Sequence, residues 1–328
     1  MYTGKVFNLK LLWHFARINL FRTLIISIAA VLLYEVAGFR FVAIPFLPVG
    51  TIGTAVAFYI GFKNNQAYDR LWEARRLWGG ITNASRNLAT MMISIVDDKT
   101  FVNDFLHRHI GYINILRLQL RRTIPWATSK GDLHRTFVGE KKELEEFDEG
   151  LKTILAKNNK MQYYELLKSK QNVANIMLKI QIEQLTKLKR EKKIDDFEHS
   201  DLVKMINELF NLQGGCERIK STPLFRQYSI FSRVFVLLFI FLLPFALLRD
   251  LSSLASWGVW LTIPFTLLIS WVFYTMEQIG EYSENPFDNS VNDTPLTTIC
   301  RNIEIDIKEL LGEMELPEKF QPENNILL

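Results

Sequence analysis

Cysteine is almost missing from this chain. Only Cys216 and Cys300 occur among 328 residues. Two cysteines build no disulfide framework, so no oxidising compartment is implied. An excess of one charge is missing too. The formal net charge is +4, far from the dense basic stripe of a nucleic-acid binder, so no nucleic-acid partner is expected. There is no GxxxxGK[ST], no GxGxxG and no GxSxG, and no Cys/His cluster has zinc spacing. Without a catalytic constellation the chain does not read as an enzyme, and no cofactor is expected. Strand alternation and internal repeats are nearly absent. The first 22 residues mix Lys5, Lys10, Arg17 and Arg22 with apolar residues and contain no acid. The apolar run that follows ends without a small-x-small site, which argues against a cleavable signal peptide.

What the chain does have is apolar side chain. Hydrophobic residues make up 48% and charged residues 23%, which excludes a disordered chain. Mean hydropathy is barely positive, as expected for a chain part embedded in lipid and part in water. Phenylalanine is abundant at 24 residues. Four apolar stretches stand out: Leu20 to Phe39, Phe41 to Phe62, Ile230 to Leu248 and Trp257 to Met276. The second and fourth carry no charge over about the 20 residues that a bilayer-spanning helix needs. Lys5, Lys10, Arg17 and Arg22 precede the first stretch, and Lys63, Arg70, Arg75 and Arg76 follow the second. The positive-inside rule therefore places both termini and the long middle in the cytoplasm, with Trp257 and Trp260 at the outer interface. The expected organisation is 1–62, an N-terminus and spans one and two; 63–228, a cytosolic helical domain; 229–276, spans three and four; and 277–328, a C-terminal loop and helix.

The middle reads as helical. Asn64 to Val96 continues from span two without proline, so one helix is expected to run on past the membrane. Further helices are expected over Phe101 to Arg121, Phe137 to Ala156, Tyr163 to Glu191 and Phe197 to Lys220. Pro125, Lys130-Gly131 and Asn158-Asn159 fall between them as breakers, and the charge-rich run Lys141 to Gly150 reads as a solvated face. Asp97-Asp98 and Asp195-Asp196 suit helix caps and turns better than acid/base pairs. His107 and His109 point to different faces of a helix and read as solvated surface rather than a metal pair. After span four, the segment from Gly280 to Thr297 reads as a structured loop. A final amphipathic helix carries Ile299, Ile303, Ile307 and Leu310, and the residues past Pro317 look loose.

Span two holds the most specific pattern. Thr54, Phe58 and Phe62 recur at i, i+4 and i+8 and share one helix face. Gly53, Ala57 and Gly61 lie on a neighbouring face and permit close helix approach. Several copies of this helix around an axis would stack Phe58 and Phe62 as apolar rings that gate by dewetting. Spacing alone favours plain packing against lipid or another span. Four spans offer too few walls for a pore inside one chain, so a conduit would form on the axis of a cyclic oligomer.

Several motifs are similar to those of one family. KNNQAYDRLWEARRLWGG (Lys63 to Gly80), IDDF (Ile194 to Phe197), GGCERIKSTPL (Gly214 to Leu224), LLPFALL (Leu242 to Leu248) and ENPFDNSVNDTPL (Glu284 to Leu296) occur in order over nearly the whole chain. They resemble the bacterial bestrophin homologues. The resemblance implies an all-α membrane protein with four transmembrane helices and a large helical cytosolic domain, assembled as a homopentamer around a central pore in the inner membrane. It implies an ion channel with inorganic ions, the lipid bilayer and its own copies as partners. The neck positions carry onto Thr54, Phe58 and Phe62. Thr54 stands where an aliphatic residue is usual, so two full hydrophobic rings are expected rather than three. A cytosolic aperture maps to Phe197 or Ser200. Eukaryotic members carry an acidic calcium clasp after Asn-Pro-Phe. Here DNSVND follows, so no strong calcium site is expected, and Asp288 and Asp293 remain weak metal candidates beside a capping role. Bacterial members point to monovalent cations such as sodium, eukaryotic ones to anions such as chloride. A non-conducting membrane scaffold is a further reading.

Overall fold

The computed structural model describes residues 1, 3–4, 9–122, 140–255, 257–290, 293–323 and 325–327, with backbone alone for 9–16 and 140–145. Lys5, Pro125, Lys130-Gly131, Phe137, Val291 and Asn292 lie outside the described residues, as do the side chains of Lys10 and Lys141. The chain forms α1 (Leu9–Glu35), α2 (Phe46–Ile95), α3 (Lys99–Leu120), α4 (Glu140–Lys157), α5 (Val173–Arg190), α6 (Asp196–Ser221), α7 (Arg226–Ser252), α8 (Thr262–Ser283) and α9 (Leu296–Leu310). Short turns stand at Arg40–Val42, Met161–Tyr163, Tyr164–Leu167 and Gly258–Leu261. Among the described residues the only β pairing is an isolated bridge between Glu323 and Ile326. Four helical segments are long and apolar enough to cross a membrane, as the four apolar stretches predict.

Two compact units result. One comprises residues 4–70 and 224–284, the other residues 1–3, 71–223 and 285–328. The first holds the spans. α1 ends at Glu35 rather than continuing to Phe39, because Gly38 takes a positive φ of 73° and turns the chain. α2 starts at Phe46, directly after Pro45, whose fixed φ suits a helix start. Within this unit α2 packs its Val49, Val56 and Ile60 against Val236, Phe239, Ile240 and Leu243 of α7. A second cluster joins Ala30 and Val31 of α1 to Leu248 and Val259. Over residues 231–241 the exposed side of α7 is apolar apart from Arg233 near its start, with Phe231, Val234, Leu237, Leu238 and Phe241 exposed. That is the pattern of a lipid-facing surface.

The other unit is a helical core. Trp78, Ile81, Leu88 and Met92 from the second half of α2 are fully buried, as are Phe105, Leu106 and Tyr112 of α3. Met177 and Leu185 of α5, Ile206 and Leu209 of α6 and Ile303 and Ile307 of α9 complete the same cluster. One glycine of each Gly-Gly pair, Gly80 and Gly215, packs closely here, while Gly79 and Gly214 face open space. A Cβ on Gly80 would meet Leu212 at 2.8 Å, and one on Gly215 would meet Leu77 at 2.8 Å. Each helix thus receives a leucine of the other over a glycine. Asp98 caps α3 by accepting the Phe101 N–H at 3.0 Å. Asp195 and Glu198 form a reciprocal capping box on α6.

Three expectations need correction in this unit. Tyr163 to Glu191 is not one helix, because Asn172 accepts the Asn175 N–H at 3.0 Å and starts α5 afresh. The tail past Pro317 is not loose. Thr3 N–H donates to Asn325 O at 2.8 Å, Leu327 N–H to Met1 O at 2.8 Å, and Arg301 lies over the Phe320 ring at 4.6 Å. His109 is not at the surface; it is fully buried, while His107 meets Glu313 at 2.7 Å. Ser85 already donates its proton to Ile81 O at 2.7 Å, so its oxygen accepts from His109 Nε2, 3.0 Å away, and Gln181 Nε2 lies 3.4 Å from Nδ1. Those partners suit a neutral ring. Burial pushes the imidazole down to about 4. Burial likewise pushes the thiols of Cys216 and Cys300 up to about 12.

Candidate functional site

The span-bearing unit exposes one face of α2. Phe58 and Phe62 are 68% and 63% exposed, although Val56, Ile60 and Lys63 beside them are buried. Thr54 is exposed on the same face and donates its hydroxyl to Gly50 O at 3.0 Å. Its oxygen remains available to water. All three line one open groove of about 730 Å³ together with Phe46, Phe239 and Phe273. The three residues expected at a neck therefore share one groove. Of the small residues on the neighbouring face, Gly53 admits the ring of Phe239, which a Cβ would meet at 2.6 Å. Gly61 has nothing within 4 Å of such a Cβ, so the expected close approach is made at Gly53 and not there.

The exposed face of α2 differs in character from that of α7. Along with Thr51 and Thr54 before the rings, Asn65 and Asp69 continue it after them, all exposed. A face alternating hydroxyls, phenyl rings, an amide and a carboxylate does not suit lipid, where every polar group without a partner is costly.

Behind this face lies a feature that sequence reading missed. Lys63, wholly buried, donates to Glu277 of α8 at 2.6 Å, and Ser232 of α7 donates to the same carboxylate. Next to it, Asn64 Nδ2 donates to Met276 O at 2.9 Å, and a Cβ on Gly280 would meet Asn64 Oδ1 at 2.2 Å. Part of the signal was present in the sequence: a lysine closing one span and a glutamate just past Met276 at the end of another. Ionisable groups at span ends pair with one another when buried. The pair ties α2 to α8 directly behind Phe62.

The other predicted residues lie in the helical unit. Phe197 is 82% exposed on the first turn of α6, and Ser200, three residues on, is exposed on the same face. The carboxylates of Asp288 and Asp293 are engaged. Asp288 accepts from Lys220 at 2.6 Å. Asp293 is buried and accepts the N–H groups of Phe287, Asn289 and Thr294 at 2.9, 2.8 and 2.6 Å. Burial holds its carboxyl above the usual range, against those three bonds. It organises a loop in which Phe287 and Asn289 both take positive φ. Among the described residues no group of three or more His, Cys, Asp or Glu stands close enough to hold a metal. Glu217 of GGCERI has a structural task, accepting from Asn172 at 2.9 Å, Gln213 at 2.8 Å and Gln119 at 3.2 Å.

Comparison with known proteins decides the family. The model described as "Bacterial/Fungal Bestrophin protein" matches residues 10–309. The chain belongs to the bestrophin family. This bestrophin is 30% identical to the voltage-dependent anion channel-forming protein YneE of Salmonella typhi, over 98% of this chain and 96% of that one. It is 32% identical to the protein of the same name from Escherichia coli K12, over 90% of this chain and 85% of that one. A crystal structure of a bacterial bestrophin homolog from Klebsiella pneumoniae shares the fold, with a TM-score of 0.76 and 24% identity across 91% of this chain and 99% of that one.

Proposed function

We propose that this bestrophin is an ion channel whose pore forms on the axis of a homopentamer, with one α2 per protomer as its lining. The observation that carries the reading is the exposed α2 face, where Phe58 and Phe62 stand between polar residues rather than within an apolar lipid surface. Five copies would stack Phe58 and Phe62 as two apolar rings, with Thr54 as a wetter ring before them. A constriction of this kind gates by dewetting. Phe197 or Ser200 forms a second aperture in a cytosolic helical domain. The protein sits in the inner membrane with both termini cytoplasmic, a reading supported by the lysines and arginines that flank the spans.

For the permeant ion, monovalent cations are our first reading. Asp69 is exposed seven residues beyond Phe62, so it shares the Phe62 face of α2 and would add a ring of carboxylates. Anions are the second reading. The curated relatives are named anion channel-forming, and exposed Arg76 lies a further seven residues along.

Reversal potentials in planar bilayers under a salt gradient separate the two. Asp69→Asn should reduce cation preference on the first reading, and Arg76→Gln should reduce anion preference on the second. Phe58→Ala should raise conductance roughly severalfold by widening and wetting the constriction. Unchanged currents in both Phe58→Ala and Phe62→Ala would remove α2 from the pore. An ion-tight protein would leave the scaffold reading in its place.

A further inference from the structure

A cleft in the helical unit has no part in the conduction reading. It is a cavity of about 390 Å³. Arg75, Asn83 and Arg86 of α2 form one side, and Thr294 and Pro295 at the start of α9 form the other. α9 is 15 residues long, has no side-chain cap on its first turn and carries no acid there. The partial positive charge of its N-terminal peptide groups is therefore unbalanced by any carboxylate of its own first turn.

Two further observations point to a ligand. Thr294 is only 3% exposed, and among the described residues its hydroxyl has no hydrogen-bond partner. A buried hydroxyl left this way marks a place where an acceptor belongs. Arg75 has no carboxylate partner among the described residues; its Nη2 lies 2.6 Å from the Met1 sulfur, which is a poor acceptor. Arg86 differs, because Asp306 balances it at 2.6 Å. Asp293, next in sequence, turns its oxygens onto backbone N–H groups of its own loop. The cleft thus offers a guanidinium, an amide, a hydroxyl and a helix N-terminus, and none of its described lining residues is an acid.

We propose that this cleft binds a phosphate group, either free inorganic phosphate or the phosphate of a small soluble metabolite. Arg75 supplies the charge-assisted donors, the Thr294 hydroxyl a neutral one, and the start of α9 the dipole. The proposal does not depend on conduction.

Equilibrium dialysis of the full-length protein in detergent against radiolabelled inorganic phosphate tests it. We expect saturable binding of one phosphate per chain. Arg75→Gln should weaken it about tenfold or more, as loss of a charged donor does. Thr294→Val should weaken it severalfold, and Thr294→Ser should bind as the native chain does. Thermal melts identify any variant that fails to fold. If Arg75→Gln is lost that way, the valine and serine pair decides alone. Competition by a nucleoside monophosphate at lower concentration than phosphate itself assigns the site to a metabolite, and weaker competition assigns it to free phosphate. Absence of saturable binding overturns the proposal. So does binding unaltered in the folded variants, or a map of the assembled particle with a neighbouring copy's carboxylate on Arg75.

Discussion

Compare how the two units bury a positive charge. In the span-bearing unit, Lys63 and Glu277 are both withdrawn from water, with side chains 1% and 8% exposed. In the helical unit, Arg108 and Lys160 are equally buried, but both reach Asp104, whose side chain is half exposed. Water still solvates one end of the second cluster, so losing a member leaves a charge that can be partly rehydrated. The first pair has no such outlet. Removing one partner strands the other in a dry, low-dielectric site. The lesson is that a buried ion pair constrains structure in proportion to how completely both ends are enclosed.

Breaking the enclosed pair should give the largest effect. Lys63→Met should destabilise the protein by about 3–5 kcal/mol, read as a lowered melting temperature in detergent. Lys63→Met with Glu277→Leu should recover most of it, since removing both charges leaves no uncompensated ion. A double variant as unstable as the single one would contradict this account.

The helical unit allows a sharper test, because it also buries a base in neutral form. His109 titrates at about 4 in the fold against an ordinary value of 6.5. Between those values the unfolded chain binds the extra proton and the folded chain does not. Stability is therefore complete above pH 6.5 and falls as pH drops toward 4, by on the order of 3 kcal/mol from this group. His109→Gln should flatten that part of the pH–stability curve. A curve unchanged by the substitution would assign the pH dependence to other groups.

The smallest of these effects should come from the helix crossing. Gly80→Val drives a side chain into Leu212 and should cost about 1–3 kcal/mol. Adding Leu212→Ala makes room and should return part of it. Melting temperatures of the single and double variants check the coupling.

Much of this architecture was legible in the residues. The four apolar runs gave the spans, and the absence of proline after Phe62 gave the unbroken course of α2. Asp98 and Asp195 were recognisable as caps because capping is local chemistry over three residues. Thr54, Phe58 and Phe62 sit on one face because helical periodicity is local too. What escaped was long-range. Lys63 meets a partner 214 residues away, and neither residue's neighbours announce the other. His109 is buried because α5 and α2 close over it, which its own flanking residues do not reveal. The tail from Pro317 to Leu327 looked loose because its partners, Met1 and Thr3, stand at the far end of the chain. Asp293 looked like a diminished metal ligand because the three backbone donors it gathers depend on the turn geometry of Phe287 and Asn289.

The condition of the two native thiols has a practical side. Cys216 and Cys300 are both buried, and each is held overwhelmingly as the unreactive S–H form at neutral pH. Maleimide and methanethiosulfonate reagents will pass over them in the folded protein. A single cysteine introduced at an exposed site, such as Phe58→Cys or Phe197→Cys, can then be tagged selectively. Accessibility mapping and distance measurements by spin or fluorophore label can proceed on the native background, with no prior replacement of the chain's own sulfhydryls.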